Sequence, residues 1–270
     1  MTAQEKLQSK TDQNLHICVG LDTDINKIPS YLKQNTNPVL EFNKVIIDST
    51  YKSAAAYKIN FAFYEREGLA GLENLQRTLE YIPKDVMVIA DAKRGDIGNT
   101  AKMYAASVFE HFNFDSVTVN PYMGLDSVEP FLEYSDKIIY VLALTSNKSA
   151  VDFEKLKLTD GEYVFQEVIS KVNEWNTKKN CGIVFGATNS DELKENISSF
   201  NDLSVLLPGI GAQGGSLEDV VTSFNLNNHS DYLVNISRAL IYCNDKPGFG
   251  SEVEKVLTDY NERIKNISGY

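Results

Sequence analysis

The run Asp91-Ala92-Lys93-Arg94-Gly95-Asp96-Ile97-Gly98-Asn99-Thr100 places two carboxylates and two cations within six residues, directly after the apolar stretch VMVIA. Residues two apart on an extended chain face the same way, so Asp91 and Lys93 are expected to point together. An ammonium held against carboxylates stays protonated and can act as a positioned proton donor. The neighbouring charges favour the form that burial alone would disfavour. Gly95 and Gly98 allow a tight turn into a helix, with Asn99 or Gly98 at its cap and Thr100 in its first turn. The same residues also read as a charged strand-to-helix loop, and spacing alone leaves both readings open.

The elements that must position these groups are legible as eight short apolar runs: 15–21, 54–60, 86–91, 116–119, 138–144, 182–186, 204–209 and 231–237. Continuous apolar runs of this length mark strands covered on both faces. Between several of them lie stretches with apolar residues three and four apart, as in 41–52, 72–82, 99–112, 162–175 and 251–265, which predict helices. Eight strands with alternating helices predict an α/β fold, a closed (β/α)8 TIM barrel, for which about 250 residues is typical. An open doubly wound sheet is the alternative. No linker or break in composition divides the chain, so residues 1–270 are expected to form one domain.

In such a barrel chemistry sits at the C-terminal ends of the strands. Those ends carry Asp22, Lys58 with Asn60, Asp91 with Lys93, Asn120, Thr145-Ser146-Asn147, Pro208-Gly209 and Ser237-Arg238. Charges beside apolar runs are costly unless paired, and Lys58, Asp91, Lys93 and Asp22 could offset one another. A structural ion pair and a catalytic group read alike for any one of them; their convergence on one rim favours chemistry.

With 26 Lys+Arg against 37 Asp+Glu the net charge is −11, which disfavours a nucleic-acid or anionic-membrane surface and requires any anionic ligand to be captured locally. Cys18, Cys181 and Cys243 are far apart and odd in number, and read as reduced thiols rather than a disulfide framework or zinc site. The first twelve residues lack the apolar core of a signal peptide, and no apolar run reaches the ~18 residues of a membrane span. A reducing, cytoplasmic setting is expected. Gly209-Ile-Gly211-Ala-Gln-Gly214 matches G-x-G-x-x-G only formally, because it follows the seventh run instead of opening a nucleotide-binding half. His16, His111 and His229 are separated and are not expected to act as bases or metal ligands.

The 91–100 run resembles the Asp-x-Lys-x-x-Asp signature of the orotidine 5′-monophosphate decarboxylase family, with the Ile and Thr that follow it. Similar landmarks occur in order at CVGLD (18–22), YKINFAFYE (57–65), TVNPYMG (118–124), TSN (145–147), LLPGIGAQGG (206–215) and SRALIY (237–242), in wording like that of the bacterial type 2 branch. The resemblance implies a homodimeric (β/α)8 barrel that converts orotidine 5′-monophosphate to UMP and CO2 without metal or organic cofactor. It implies Lys93 as the acid that protonates C6 and Asp91 beside the departing carboxylate. Lys58, Asp91, Lys93 and Asp96 would form an alternating array. Asp96, Ile97 and Thr100 would reach into the partner subunit's site. Asp22 and Lys58 would hold ribose hydroxyls, with Asp96 and Thr100 from the neighbour on the other ribose edge. Ser146 would meet the pyrimidine amide edge, and Pro208 would shape the wall. Gln213 and Arg238, helped by backbone around Gly214, Gly215 and Ser237, would grip the phosphate. Ser237 stands where the family pattern has glycine, which would crowd the phosphate slightly.

Two rival functions share parts of this pattern. Metal-dependent relatives, such as keto-gulonate phosphate decarboxylase and hexulose phosphate synthase, share Asp-x-Lys-x-x-Asp but need a carboxylate for Mg²⁺ near the end of the second strand, where this chain has Lys58. A non-catalytic nucleotide-binding barrel would not require a buried proton donor.

Overall fold

The computed structural model describes residues 1–211 and 214–269. Eight strands, β1 (Ile17–Gly20), β2 (Ala56–Asn60), β3 (Met87–Arg94), β4 (Ser116–Val119), β5 (Ile138–Leu144), β6 (Cys181–Phe185), β7 (Ser204–Pro208) and β8 (Tyr232–Ile236), close in chain order into a barrel. All eight pairings are parallel, including β1 with β8, which rules out the open sheet. The result is a single-domain (β/α)8 TIM barrel. Among the described residues no helix is long and apolar enough to cross a membrane.

Alternation along each strand divides the apolar residues between two cores. Val19, Tyr57, Ile59, Val88, Val117, Ile183 and Val205 face outward into the large core beneath the surrounding helices. Cys18, Ala56, Met87, Ile89, Tyr140, Val184, Leu206 and Leu233 fill the barrel interior. Interior volume is balanced locally. Gly182 leaves room for the Tyr140 ring, whose atoms would lie 2.7 Å from any Cβ at that position, and the Tyr140 hydroxyl bonds Ser204 at 2.9 Å.

The sequence-predicted strands lie within about two residues of the observed ones except at β3, which runs on to Arg94. The observed helices Pro38–Thr50, Gly68–Tyr81, Val164–Trp175 and Gly250–Ser268 match the predicted amphipathic stretches. The predicted 99–112 helix is α-helical over Gly98–Ala106 and widens to a π-turn over Ser107–His111. Neither Asn99 nor Gly98 caps it. The cap position is Ile97, which makes no side-chain capping bond.

An element not foreseen is the helix Ala3–Thr11, opened by a reciprocal Thr2–Glu5 capping box. It buries Ala3 and Leu7 with the interior cluster and so covers the N-terminal end of the barrel. Five further α-helices, Phe61–Glu65, Glu129–Leu132, Ser190–Asn196, Leu217–Leu226 and Arg238–Ile241, also have no counterpart among the predicted stretches. All but Leu217–Leu226 span under two turns, too short for a clear helical period.

Candidate active site

The C-terminal mouth of the barrel opens into a cavity of about 410 Å³. Of the residues expected at a site, Asp22, Lys58, Asp91, Lys93, Ser146, Pro208, Ser237 and Arg238 line it. At its centre is a chain of opposite charges. Lys58, 4 % exposed, sets its Nζ 2.9 Å from Asp91 Oδ2 and 3.5 Å from Asp22 Oδ1. Lys93 Nζ lies 2.5 Å from Asp91 Oδ1, and its side chain is half exposed toward the cavity.

Burial acts to raise the Asp91 carboxyl, but the Lys58 and Lys93 ammoniums outweigh it and hold that carboxyl well below the usual carboxylate range. Burial likewise acts to lower Lys58, and Asp22 and Asp91 overcome it, holding the ammonium above the ordinary lysine range. Lys58 and Asp91 are therefore held in their charged forms before any ligand arrives, and each of these buried charges has its counter-charge in contact.

Simple alternation does not account for how Asp91 and Lys93 come together. Ala90 pairs with Val117 and Arg94 with Val119, so four steps on β3 match two on β4 and the strand bulges between them. Lys93 sits in the left-handed region at φ +46°, a strained conformation costing about 1–3 kcal/mol that a bulge beside a functional site can sustain. Thr118 holds the bulge: its Oγ1 accepts the Lys93 amide at 3.0 Å and donates to Asp91 Oδ1 at 3.0 Å. Sequence reasoning missed Thr118, which is 27 residues from Asp91 and betrayed only by its place at the end of a strand.

Asp96, Ile97 and Thr100 stand outside their own chain's cavity. Asp96 accepts its neighbour Ile97's amide at 2.8 Å and forms no ion pair among the described residues, so it does not join the array of its own chain. Ile97 is 54 % exposed, and Thr100 is also exposed.

At the far side, Arg238 opens the short helix Arg238–Ile241 and has no carboxylate partner among the described residues. Ser237 does not need to be glycine: its φ is −117°, and its hydroxyl donates to the Gly20 carbonyl at 3.1 Å. The backbone amides of Gly214 and Gly215, expected at a phosphate, donate inward to Gly211 O and Gly209 O at 3.0 Å each. Ile210 and Gly215 are joined by a parallel bridge, and Gly211 and Gly214 are both at positive φ. Gln213 lies outside the described residues.

Asn60, expected at the end of the second strand, also lines the cavity, and so do Glu154 and Asn235, which were not singled out beforehand. Asn235 is buried, with Oδ1 lacking a partner among the described residues.

A closed barrel with an ionised lysine–carboxylate array at its mouth defines a TIM-barrel enzyme suited to acid–base and electrostatic catalysis. Comparison with known proteins makes the class specific. The family model for orotidine 5′-phosphate decarboxylase / HUMPS matches residues 16–248. An orotidine 5′-phosphate decarboxylase of Porphyromonas gingivalis is 46 % identical over 93 % of this chain and 92 % of its own length. The solved Leishmania donovani OMP decarboxylase superimposes with a TM-score of 0.86 at 34 % identity, covering all of both chains. The Leishmania donovani UMP synthase structure gives 0.88 at 35 % identity over 99 % of this chain, which spans 57 % of that longer protein. The chain belongs to the orotidine 5′-phosphate decarboxylase / HUMPS family and is an enzyme.

Proposed function

We propose that this chain, acting as one domain over residues 1–270, decarboxylates orotidine 5′-monophosphate to UMP and CO2 in de novo pyrimidine biosynthesis, with Lys93 as the proton donor. The single observation that carries the mechanism is the contact of Lys93 and Lys58 with the two oxygens of Asp91. When the C6–carboxylate bond breaks, its electron pair stays on the ring carbon and CO2 departs. A proton passes from Lys93 Nζ to C6, and Lys93 regains one from water. An ammonium already oriented stabilises the charge developing at C6 more than the charge dispersed on the substrate carboxylate, and this difference accelerates the step.

In this reading Asp22 and Lys58 hold ribose hydroxyls, Ser146 meets the pyrimidine amide edge and Pro208 forms the wall. Arg238 grips the phosphate with Gln213 and backbone near Ser237, Gly214 and Gly215. For the two glycines this requires their amides to release the inward bonds. No metal enters the proposal: the Lys58 ammonium fills the space between Asp22 and Asp91 that a cation would need. The setting proposed is reducing and cytoplasmic, in keeping with free Cys18, Cys181 and Cys243.

Asp96, Ile97 and Thr100, which do not line their own chain's cavity, are proposed to complete the site of a second copy in a homodimer. Mixing Asp96→Asn and Lys93→Ala dimers should then restore activity, because one hybrid site is intact. No recovery after verified subunit exchange would refute the sharing. The activity itself is tested by following UMP formation from orotidine 5′-monophosphate with and without EDTA. Equal rates are expected, whereas no UMP, or loss with chelator, would overturn the reading.

A further inference from the structure

Asp22 and Asp91 border the cavity in contact with lysine, but a third carboxylate there, Glu154, has no lysine or arginine partner among the described residues. Its charge is taken up by one residue. Oε2 accepts the Thr145 amide at 2.7 Å and Oε1 accepts the Thr145 hydroxyl at 2.8 Å. The same hydroxyl also lies 2.6 Å from Asn147 Oδ1. It has one proton to give, so it donates to one of these two acceptors at a time.

Glu154 reaches Thr145 from a braced segment. Its own carbonyl accepts the Phe165 amide at 2.9 Å, at the start of the helix Val164–Trp175, and the next residue, Lys155, pairs with Glu192. Thr145 directly precedes Ser146, whose seat is narrow. A Cβ on Gly186 would lie 2.7 Å from the Ser146 amide nitrogen. The Ser146 carbonyl accepts from Thr188 at 3.3 Å and the Thr145 carbonyl from Asn189 at 3.0 Å. A carboxylate bordering a cavity for an anionic ligand opposes binding by its charge, and what it supplies here is two charge-assisted bonds to the residue before Ser146.

We infer that Glu154 is a positioning residue for base recognition: by clasping Thr145 it sets Ser146 toward the ligand, while the phosphate grip at the end of β8 is independent of it. The inference rests on the proposed role of Ser146 as the pyrimidine contact. Glutamine can replace the clasp without its charge. Its carbonyl accepts the Thr145 amide, its NH2 donates to Thr145 Oγ1, and the threonine proton turns to Asn147 Oδ1.

The test is calorimetric affinity for UMP and for ribose 5-phosphate, which lacks the base. Glu154→Ala should weaken UMP about tenfold and leave ribose 5-phosphate unchanged, and Glu154→Gln should bind UMP at least as tightly as the parent. In a Ser146→Ala background, adding Glu154→Ala should change UMP affinity by less than about twofold, because the group it positions is already gone. Equal weakening of both ligands, additivity with Ser146→Ala, or no effect of Glu154→Ala would overturn the inference. If Glu154→Ala does not fold, Thr145→Val, which removes the hydroxyl alone, carries the same cycle with the same outcomes. Failure of the unsubstituted enzyme to bind UMP would instead overturn the proposed function.

Discussion

At the mouth of the barrel Lys58 is 4 % exposed and Asp91 8 %, and both are held in their charged forms by each other and by Asp22 and Lys93. At the floor His16 is 3 % exposed and goes the other way. Burial pushes it down to about 4, with the Tyr232 carbonyl offsetting only part of the effect. Burial also raises Asp231 and Tyr232, toward their neutral forms. The floor is packed by ring faces: His16 stacks on Tyr232 at 4.0 Å and Tyr232 on Phe224 at 4.3 Å. Equal burial therefore has opposite results at the two ends, and the difference lies in whether a counter-charge is in contact. Keeping charges buried is a poor route to stability, which points to chemistry as the use of the mouth and packing as the use of the floor.

The comparison breaks most severely at Lys93. Replacing it by alanine removes both the proton donor and the adjacent cation, so turnover of orotidine 5′-monophosphate should fall at least about 10⁴-fold. A smaller loss in steady-state assays would deny Lys93 its role. Lys58→Met strikes the buried half of the array. It leaves Asp91 without its most enclosed partner, and urea unfolding should show a loss of about 3–5 kcal/mol; an unchanged midpoint would mean the array is not coupled to the fold.

Acid sharpens the contrast. His16 takes up a proton at about 4 in the folded chain but near 6.5 unfolded. The unfolded state thus binds more protons between these values, and stability is full above pH ~6.5 and falls as pH drops toward 4, by up to about 3 kcal/mol. Asp91 is depressed, so its contribution persists above its unfolded value of ~3.9 and is lost only at lower pH. His16→Phe should flatten urea stability between pH 6.5 and 4.5; an unaltered slope would place the acid sensitivity elsewhere. Arg238→Ala should weaken UMP about 10- to 100-fold without lowering stability, as titration calorimetry would show, since no carboxylate is left unpaired. Ser237→Gly should be the mildest change, under about twofold in UMP affinity, with at most about 1 kcal/mol lost with the Gly20 bond.

The strands were legible because a strand covered on both faces must be continuously apolar. The charged rim was legible because Lys58 and Asp91 are conspicuous inside such runs. What escaped depended on contacts between distant residues. The Asp91–Lys93 convergence was foreseen, but through alternation, whereas the bulge and Thr118 bring it about. Glu154 carries no signal in the sequence, and only the fold turns it back on Thr145. That the Ser237 hydroxyl bonds the Gly20 carbonyl is likewise not legible in the sequence. The helix Ala3–Thr11 has too little apolar content to show a helical period, although Thr2-x-x-Glu5 is a capping signature.

The most direct test of a mouth that holds its charges against burial is a carbon-13 NMR titration of aspartate-labelled protein, with the Asp91 carboxyl assigned by loss of its signal in Asp91→Asn. Followed from pH 7 to pH 4, that carboxyl should remain ionised throughout, while the His16 ring begins to take up its proton toward the lower limit. A titration of Asp91 within that range would contradict the account, because an array that neutralises there is not preorganised by its lysines.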